Sequence, residues 1–334
     1  MNEVLDLLII GGGPTGINCA IAAKAANLQF LVIEKGLIAN SIYQFPTNMT
    51  FFSTSKKLEI GEIPFISHAD KPTRREALEY YRRLVEAYQL PVAVYTQVEK
   101  MEPVSTTDTP QYLVRTNRGD YRAKTIIVAT GFYDRPRMMD IPGEDLPKVR
   151  HYYDDAHPYI GQKVLVIGAR NSACDVALET HAKGADVTMA IRGDKIYERV
   201  KYWIKPNIEN RIKEGSIKAY FQTTVETIKP RSVVLQTPEG LQEIENDFVL
   251  AMTGYTPNYE LLHALQLPID QSGFKVPIHR EETLETPLPG VYVAGVLNAG
   301  LKTSALFIEN TRHHGHLIVD HIQANYLSAI PNLS

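Results

Sequence analysis

The hydrophobic positions along the chain come mostly in short, nearly unbroken runs rather than in strict alternation. The first, VLDLLII over residues 4–10, reads as a strand covered on both faces. It stops at GGGPTG (11–16), after which INCAIAAKAANL carries small and apolar residues on every side, as a helix buried against a sheet does. QFLVIE then supplies a second strand and completes a βαβ unit. The same order returns in KVLVIG (163–168), ARNSA, CDVALETHAKGA and DVTMAIR (186–192), so the chain builds this unit twice.

Between the two units RREALEYYRRLVEAYQL has the spacing of an amphipathic helix, and VAVYTQVEKME, QYLVRTN and YRAKTIIVATG read as β-rich runs. Similar runs, IKAYFQTTVETIKP, SVVLQTPEG and DFVLAMTG, follow the second unit. Each module closes on a buried strand ending in a small-residue turn, IIVATG at 126–131 and FVLAMTG at 248–254. A last strand, GVYVAG (290–295), leads through VLNAGLKTSA into a long helix ending near residue 325. This final turn carries no third glycine motif, so it returns to complete the first module. The pattern predicts an α/β protein with two Rossmann-like, three-layer ββα dinucleotide-binding domains. Residues 1–133 and 256–334 form a discontinuous first domain, and 134–255 form a second one inserted into it.

Gly11, Gly13 and Gly16, with Pro14 and Thr15 between the last two, have the spacing G-x-G-x-x-G. The first glycine permits a tight turn, the second lets the backbone approach a pyrophosphate, and the third lets helix and strand pack closely. The free N–H groups and dipole of the helix start then hold the anion. At the end of the following strand, Glu34 is placed to accept both hydroxyls of an adenosine ribose.

The second loop keeps Gly168 but has Arg170 for the middle glycine and Ala173 for the last, with Asn171 and Ser172 between them. Its second strand ends on Arg192, within one residue of the place Glu34 takes when each is counted from the first glycine of its loop. A carboxylate repels a ribose 2′-phosphate and a guanidinium pairs with it, so the first site suits FAD and the second NADPH. Further contacts expected around FAD are Lys35, Gln44, Val98, Thr130, Gly131, Gly295 and Val296. Around NADPH they are Lys195, Thr253 and Gly254, with Arg199 adding charge downstream. A flavin and a nicotinamide in series imply hydride transfer from one to the other and then reduction of an acceptor, with the cofactors carrying the chemistry.

A formal net charge of -3 leaves no large basic field for a polyanion, so nucleic acid is not an expected partner. The first residues are acidic where a signal peptide is basic, and no run approaches the roughly 18 apolar residues of a membrane span, which predicts a cytoplasmic protein. Only Cys19 and Cys174 occur, without any C-x-x-C, which excludes a disulfide framework or zinc ribbon. The histidines of TRHHGH have no carboxylate or cysteine set at ligand spacing, and no metal is expected.

With IIGGGPTG, IIVATG, AMTGYTPN, VYVAG and a central second βαβ unit, the whole chain resembles the low-molecular-weight thioredoxin reductases. Those reductases carry a C-x-x-C before the second glycine loop. The matching stretch here, IPGEDLPKVRHYYDDAHPYIGQKVLVIG, has no cysteine, so a dithiol relay is absent. FPTNMTFFSTSKKLEIGEIPF, VKYWIKPNIENRI and FIENTRHHG are similar to segments of the bacillithiol disulfide reductase family. That resemblance implies an NADPH-dependent reductase for the disulfide of a low-molecular-weight thiol, assembled as a homodimer. The family has a cysteine after the proline of its first loop, where this chain has Thr15, whose hydroxyl cannot form a mixed disulfide.

Thr15, Cys19, Tyr43 and Phe52 are the candidates for the acceptor step, with Gln44 and a helix start at Lys302 to Ser304 whose dipole would stabilise a reduced flavin. Cys19 lies four residues past Thr15, on a similar helix face about 6 Å along the axis, and reads as a core residue rather than a replacement thiol. Cys174 reads the same way. Trp203 and Tyr202 read as walls of a substrate pocket or as packing anchors. The same motifs also fit a ferredoxin or flavodoxin reductase using NADP, a flavin monooxygenase, or a non-catalytic nucleotide-binding redox sensor.

Overall fold

The computed structural model describes residues 4–104 and 110–327. Strand β1 (Val4–Ile10) feeds the glycine loop and helix α1 (Pro14–Ala25), and β2 (Phe30–Ile33) returns parallel to β1 with Ile10 opposite Ile33. Every residue of α1 from Gly16 to Ala23 is buried, which is why its sequence shows no polar face. Helix α2 (Arg74–Ala87) is the amphipathic one. Its start is closed by a capping box in which Thr73 and Glu76 each accept the other's N–H, and Tyr81 and Leu84 turn inward. Strands β3 (Val98–Pro103), β4 (Tyr112–Thr116) and β5 (Gly119–Val128) follow as an antiparallel arm. β5 is long enough to serve twice: its first half pairs with β4, and it also runs parallel beside β1 with Val128 opposite Ile10.

The second module repeats the scheme with β6 (Lys163–Ile167), α3 (Asn171–Ala182) and β7 (Asp186–Ala190), Ile167 lying opposite Ala190. β8 (Thr224–Ile228), β9 (Ser232–Thr237) and β10 (Gly240–Glu245) form an antiparallel sheet of their own, and β11 (Phe248–Ala251) returns parallel beside β6. The chain then goes back to the first module, where β12 (Val291–Val293) pairs parallel with the end of β5 and helix α4 (His314–Ile322) packs on α1. The modules have separate apolar cores, one around Leu8, Ile126 and Val293 and one around Val166, Val187 and Leu250. The architecture is therefore two Rossmann-like α/β domains. Among the described residues, no helix is long and apolar enough to cross a membrane.

Three features depart from the sequence reading. The chain divides into two compact units, one taking everything up to Tyr43, Ser53–Arg135 and everything from Tyr255, the other Gln44–Phe52 and Pro136–Gly254. Residues 44–52, expected in the first domain, thus group with the second. The cause is a set of specific contacts: the N–H and hydroxyl of Thr47 both donate to Asp154 (2.9 and 2.7 Å), and the Asn48 amide donates to Glu179 on α3 at 2.8 Å. Phe52 stacks on Trp203, ring centroids 5.8 Å apart at 15°.

The last helix is not continuous. Gly295–Ala299 forms a 3-10 turn, Gly300 has φ +51, and Leu301 donates its N–H to Phe274 at 2.7 Å, so Lys302 to Ser304 lie in a turn and not at a helix start. Helix begins only at Ile308, where the Asn310 side chain accepts the Phe307 N–H at 2.7 Å, and it breaks again before α4. The run IKAYFQTTVETIKP likewise splits at Gln222 (φ +50) into Lys218–Tyr220, paired with β7, and β8.

Candidate functional site

At the first loop the glycines do three separate jobs. Gly11 turns the chain at φ +115, and a Cβ there would lie 2.5 Å from the Ala129 carbonyl oxygen, so the ATG turn closes directly onto it. A Cβ on Gly16 would sit well inside contact distance of the Gly11 carbonyl oxygen, which fixes how tightly α1 seats on β1. The position a Cβ would take on Gly13 has nothing within 4 Å. That open face lies at the N-cap of α1, which has no side-chain cap and no acid in its first turn, as an anion-binding helix start requires.

Glu34 is buried one residue beyond β2, and its carboxylate accepts the Gly12 N–H at 2.7 Å and the Gly36 N–H at 2.8 Å. Burial raises its pKa, and the two amides act against that shift. Each oxygen keeps a further lone pair, so the same carboxylate can brace the loop and accept a ribose hydroxyl. Thr130 presents a buried hydroxyl oxygen without a partner, and a Cβ on neighbouring Gly131 would be 3.8 Å from the Val296 side chain. Thr15 covers Gly295, where a Cβ would meet the Thr15 hydroxyl at 2.6 Å. Lys35 is held by Asp134 at 2.8 Å, and Val98 is buried at the start of β3. An open cradle at Gly13 and an orphaned Thr130 hydroxyl fit a bound dinucleotide.

At the second loop, a Cβ on Gly168 would fall 2.8 Å from the Met252 carbonyl oxygen and 3.2 Å from Ala173, so the Ala at the third position already fills the available space. Arg170 takes the N-cap of α3 with extended backbone and places its guanidinium 4.6 Å from the Tyr197 ring centre. Asn171 accepts the Lys201 N–H at 2.8 Å, and Lys201 pairs with Asp175 at 2.8 Å. Thr253 donates to the Arg137 carbonyl at 2.6 Å, and the Gly254 carbonyl accepts the Arg137 N–H at 2.9 Å. The strand registers match Gly168 with Ile191 as they match Gly11 with Glu34. A buried isoleucine therefore stands at the Glu34 position, and exposed Arg192 follows it. Lys195 is taken by Glu198 at 2.5 Å.

A family model described as pyridine nucleotide-disulphide oxidoreductase matches residues 8–295. The chain belongs to that family. It is 44% identical to the bacilliredoxin reductase of Bacillus subtilis (strain 168) over 309 residues, 92% of this chain and 94% of the relative. Among solved structures, the bacillithiol disulfide reductase of Staphylococcus aureus aligns with TM-score 0.93 at 38% identity, covering 97% of this chain and 99% of the other. The bacillithiol disulfide reductase of Bacillus cereus aligns with TM-score 0.91 at 40% identity, covering 96% and 99%. As a member of this family the chain is an oxidoreductase dependent on FAD and NAD(P)H.

Of the acceptor-step candidates, Thr15 stands in the first turn of α1 against Gly295, and Tyr43 is exposed with the Arg74 guanidinium 5.2 Å from its ring centre. Gln44 and Phe52 belong to the segment that groups with the second unit, where Phe52, Trp203 and Tyr202 form an aromatic cluster. Among the described residues, no group of three histidines, cysteines or carboxylates is placed to hold a metal ion.

Both thiols are fully buried, Cys19 in α1 and Cys174 in α3, and burial pushes each up to about 12. Burial disfavours the thiolate at both positions, which argues against Cys19 as a replacement thiol. The native protein, with or without NADPH, is expected to gain no mass on hours of exposure to N-ethylmaleimide, and a Cys19→Ala, Cys174→Ala double variant should keep more than half its turnover. An adduct on the folded protein at a rate near that of a free thiol would contradict this.

His314 was hidden in the sequence. The histidines of TRHHGH read from the sequence as solvated or general-acid groups, yet His314 shares a helix face with Ile318 and Ile322 and is buried with them. Spacing four and eight residues before two apolar positions was the available signal. Its Nδ1 accepts the Gly295 N–H at 3.0 Å. Burial, reinforced by His313 and His279, lowers its pKa to about 4. The unfolded chain therefore takes a proton near pH 6.5 that the folded chain refuses until about pH 4. His314 then contributes full stability above pH 6.5 and loses it as the pH falls toward 4, on the order of 3 kcal/mol at the low end. Thermal unfolding of wild type and a non-titrating His314→Asn variant should diverge over that window; parallel curves would contradict the assignment.

Proposed function

We propose that the chain holds FAD at the first glycine loop and NADPH at the second, and reduces the disulfide of a low-molecular-weight thiol of the bacillithiol type. The observation that carries the choice of nucleotide is Arg192, an exposed cation at a strand end whose neighbouring position is a buried isoleucine instead of a ribose-binding acid. The disulfide acceptor is supported by full-length relatives that are bacilliredoxin and bacillithiol disulfide reductases. When bound, NADPH supplies a hydride to FAD, and FAD supplies two electrons to the acceptor. The reaction balances as NADPH, a proton and one disulfide giving NADP⁺ and two thiols. The protein's part is to seat both nucleotides on helix starts and to brace the first loop through Glu34. With both cysteines buried, no sulfur of the chain attacks the acceptor. We further place the enzyme in the cytoplasm as a homodimer.

Rapid mixing of the NADPH-reduced protein with bacillithiol disulfide, other small disulfides, ferredoxin, flavodoxin and oxygen tests this reading. Bacillithiol disulfide should reoxidise the flavin faster than oxygen does. Fastest reoxidation by ferredoxin or flavodoxin would replace it with an electron-carrier reductase, and bound flavin without turnover on any acceptor would replace it with a redox sensor.

A further inference from the structure

Gly295 opens the turn Gly295–Ala299 after β12 and adopts φ +78, a left-handed conformation that side chains disfavour. It is held from two sides. Thr15, from the first turn of α1, occupies the space a Cβ would need, and His314, the first residue of α4, accepts its N–H at 3.0 Å. One residue further along α4, the Gly315 N–H is taken by Asn18 of α1 at 3.2 Å, so helix α4 and helix α1 are pinned together beside the same turn. Val296, next to Gly295, in turn neighbours Gly131 of the ATG turn. These contacts join three stretches singled out for FAD, GGGPTG, ATG and AGV, through one imidazole that contributes to none of those motifs.

We propose that His314 is a positioning residue of the flavin site: as a neutral imidazole with its proton on Nε2, it holds the Gly295–Val296 turn in the conformation that admits both Thr15 and the cofactor. The proposal rests on the assignment of FAD to this module. An N–H can be held only by an acceptor, so Nδ1 must carry no proton. Remove the acceptor and a buried amide is left unpaired, which favours rotation of the turn toward another partner. The requirement is for an acceptor at the δ position, and this separates the role from simple space filling. Asparagine offers one in nearly the same place, leucine has similar branching without it, and glutamine moves it one atom outward.

The test is titration of flavin-stripped full-length protein with FAD, followed by flavin fluorescence. His314→Leu and His314→Gln should each weaken FAD binding at least tenfold, whereas His314→Asn should stay within about threefold of wild type. A ¹⁵N-histidine spectrum of wild type should show an unprotonated Nδ1 and a protonated Nε2 at neutral pH. Trp203, the single tryptophan, lies in the second unit, and its fluorescence response to NADPH reports whether each variant is folded. If the leucine variant does not fold, the asparagine and glutamine variants still decide. Equal FAD affinity for wild type and leucine or glutamine, an asparagine variant as weak as the leucine one, or the opposite tautomer would overturn the role of His314 alone. A wild type that takes up no FAD would overturn the flavin assignment beneath it.

Discussion

Arg192→Ala is expected to lower kcat/KM for NADPH roughly a hundredfold and to leave the value for NADH within about twofold. The figure follows from the chemistry: a guanidinium on a phosphate makes charge-assisted, often bidentate hydrogen bonds, each about 1.5–3 kcal/mol, and removal of one such group is worth ~2–3 kcal/mol. The side chain is exposed and stands just past β7, where an incoming 2′-phosphate can reach it without displacing packed atoms. Compensation by Lys195 is limited because Glu198 already holds it. Arg192→Glu should go further and favour NADH, since a carboxylate then meets the phosphate. Steady-state kinetics with both nucleotides decide the matter, and an unchanged ratio in either variant removes the argument for NADPH.

Gly16→Ala is expected to yield protein that purifies colourless and binds added FAD at least a hundredfold more weakly. The added methyl has no room against the Gly11 carbonyl oxygen, a backbone atom that cannot rotate aside as a side chain would. Gly11 is itself pressed against Ala129, so the displacement passes to the ATG turn as well as the dinucleotide loop. Overpacking of this kind costs about 1–3 kcal/mol in a well-packed core, and here it falls on the cradle itself. Gly13→Ala is the contrasting case, since its Cβ position is open. That variant should fold normally and weaken FAD only through crowding of the ligand. Visible absorbance and thermal unfolding of the pair separate the two effects; a yellow, wild-type-like Gly16→Ala protein would refute the close-packing argument.

Both βαβ modules and their glycine turns were legible because buried parallel strands must be apolar throughout and a turn that touches neighbouring backbone must be glycine. The opposite charges of Glu34 and Arg192 were legible for the same reason: each follows a run whose end the apolar pattern marks. Spacing from the first glycine already puts Arg192 one residue beyond the count to Glu34, and strand register adds that Ile191 takes the place equivalent to Glu34. The break at Gly300 has no sequence signal, because small residues are compatible with a helix until a particular loop, here at Phe274, claims the N–H that follows. The grouping of residues 44–52 had no local signal at all. Its determinants, Asp154, Glu179 and Trp203, are remote in sequence, and nothing in FPTNMTFF announces them. Position along the chain is enough to give Glu34 a ligand role, whereas its hold on the Gly12 and Gly36 amides is a product of the fold.

Because the second unit borrows residues 44–52, it is not encoded as one uninterrupted stretch. A gene segment running from Pro136 to Gly254 would yield a polypeptide in which Asp154 and Glu179 have lost Thr47 and Asn48, and Trp203 has lost Phe52. Inheritance of this half by simple shuffling is thereby penalised, and any swap with a cousin must carry two separate pieces of coding sequence together.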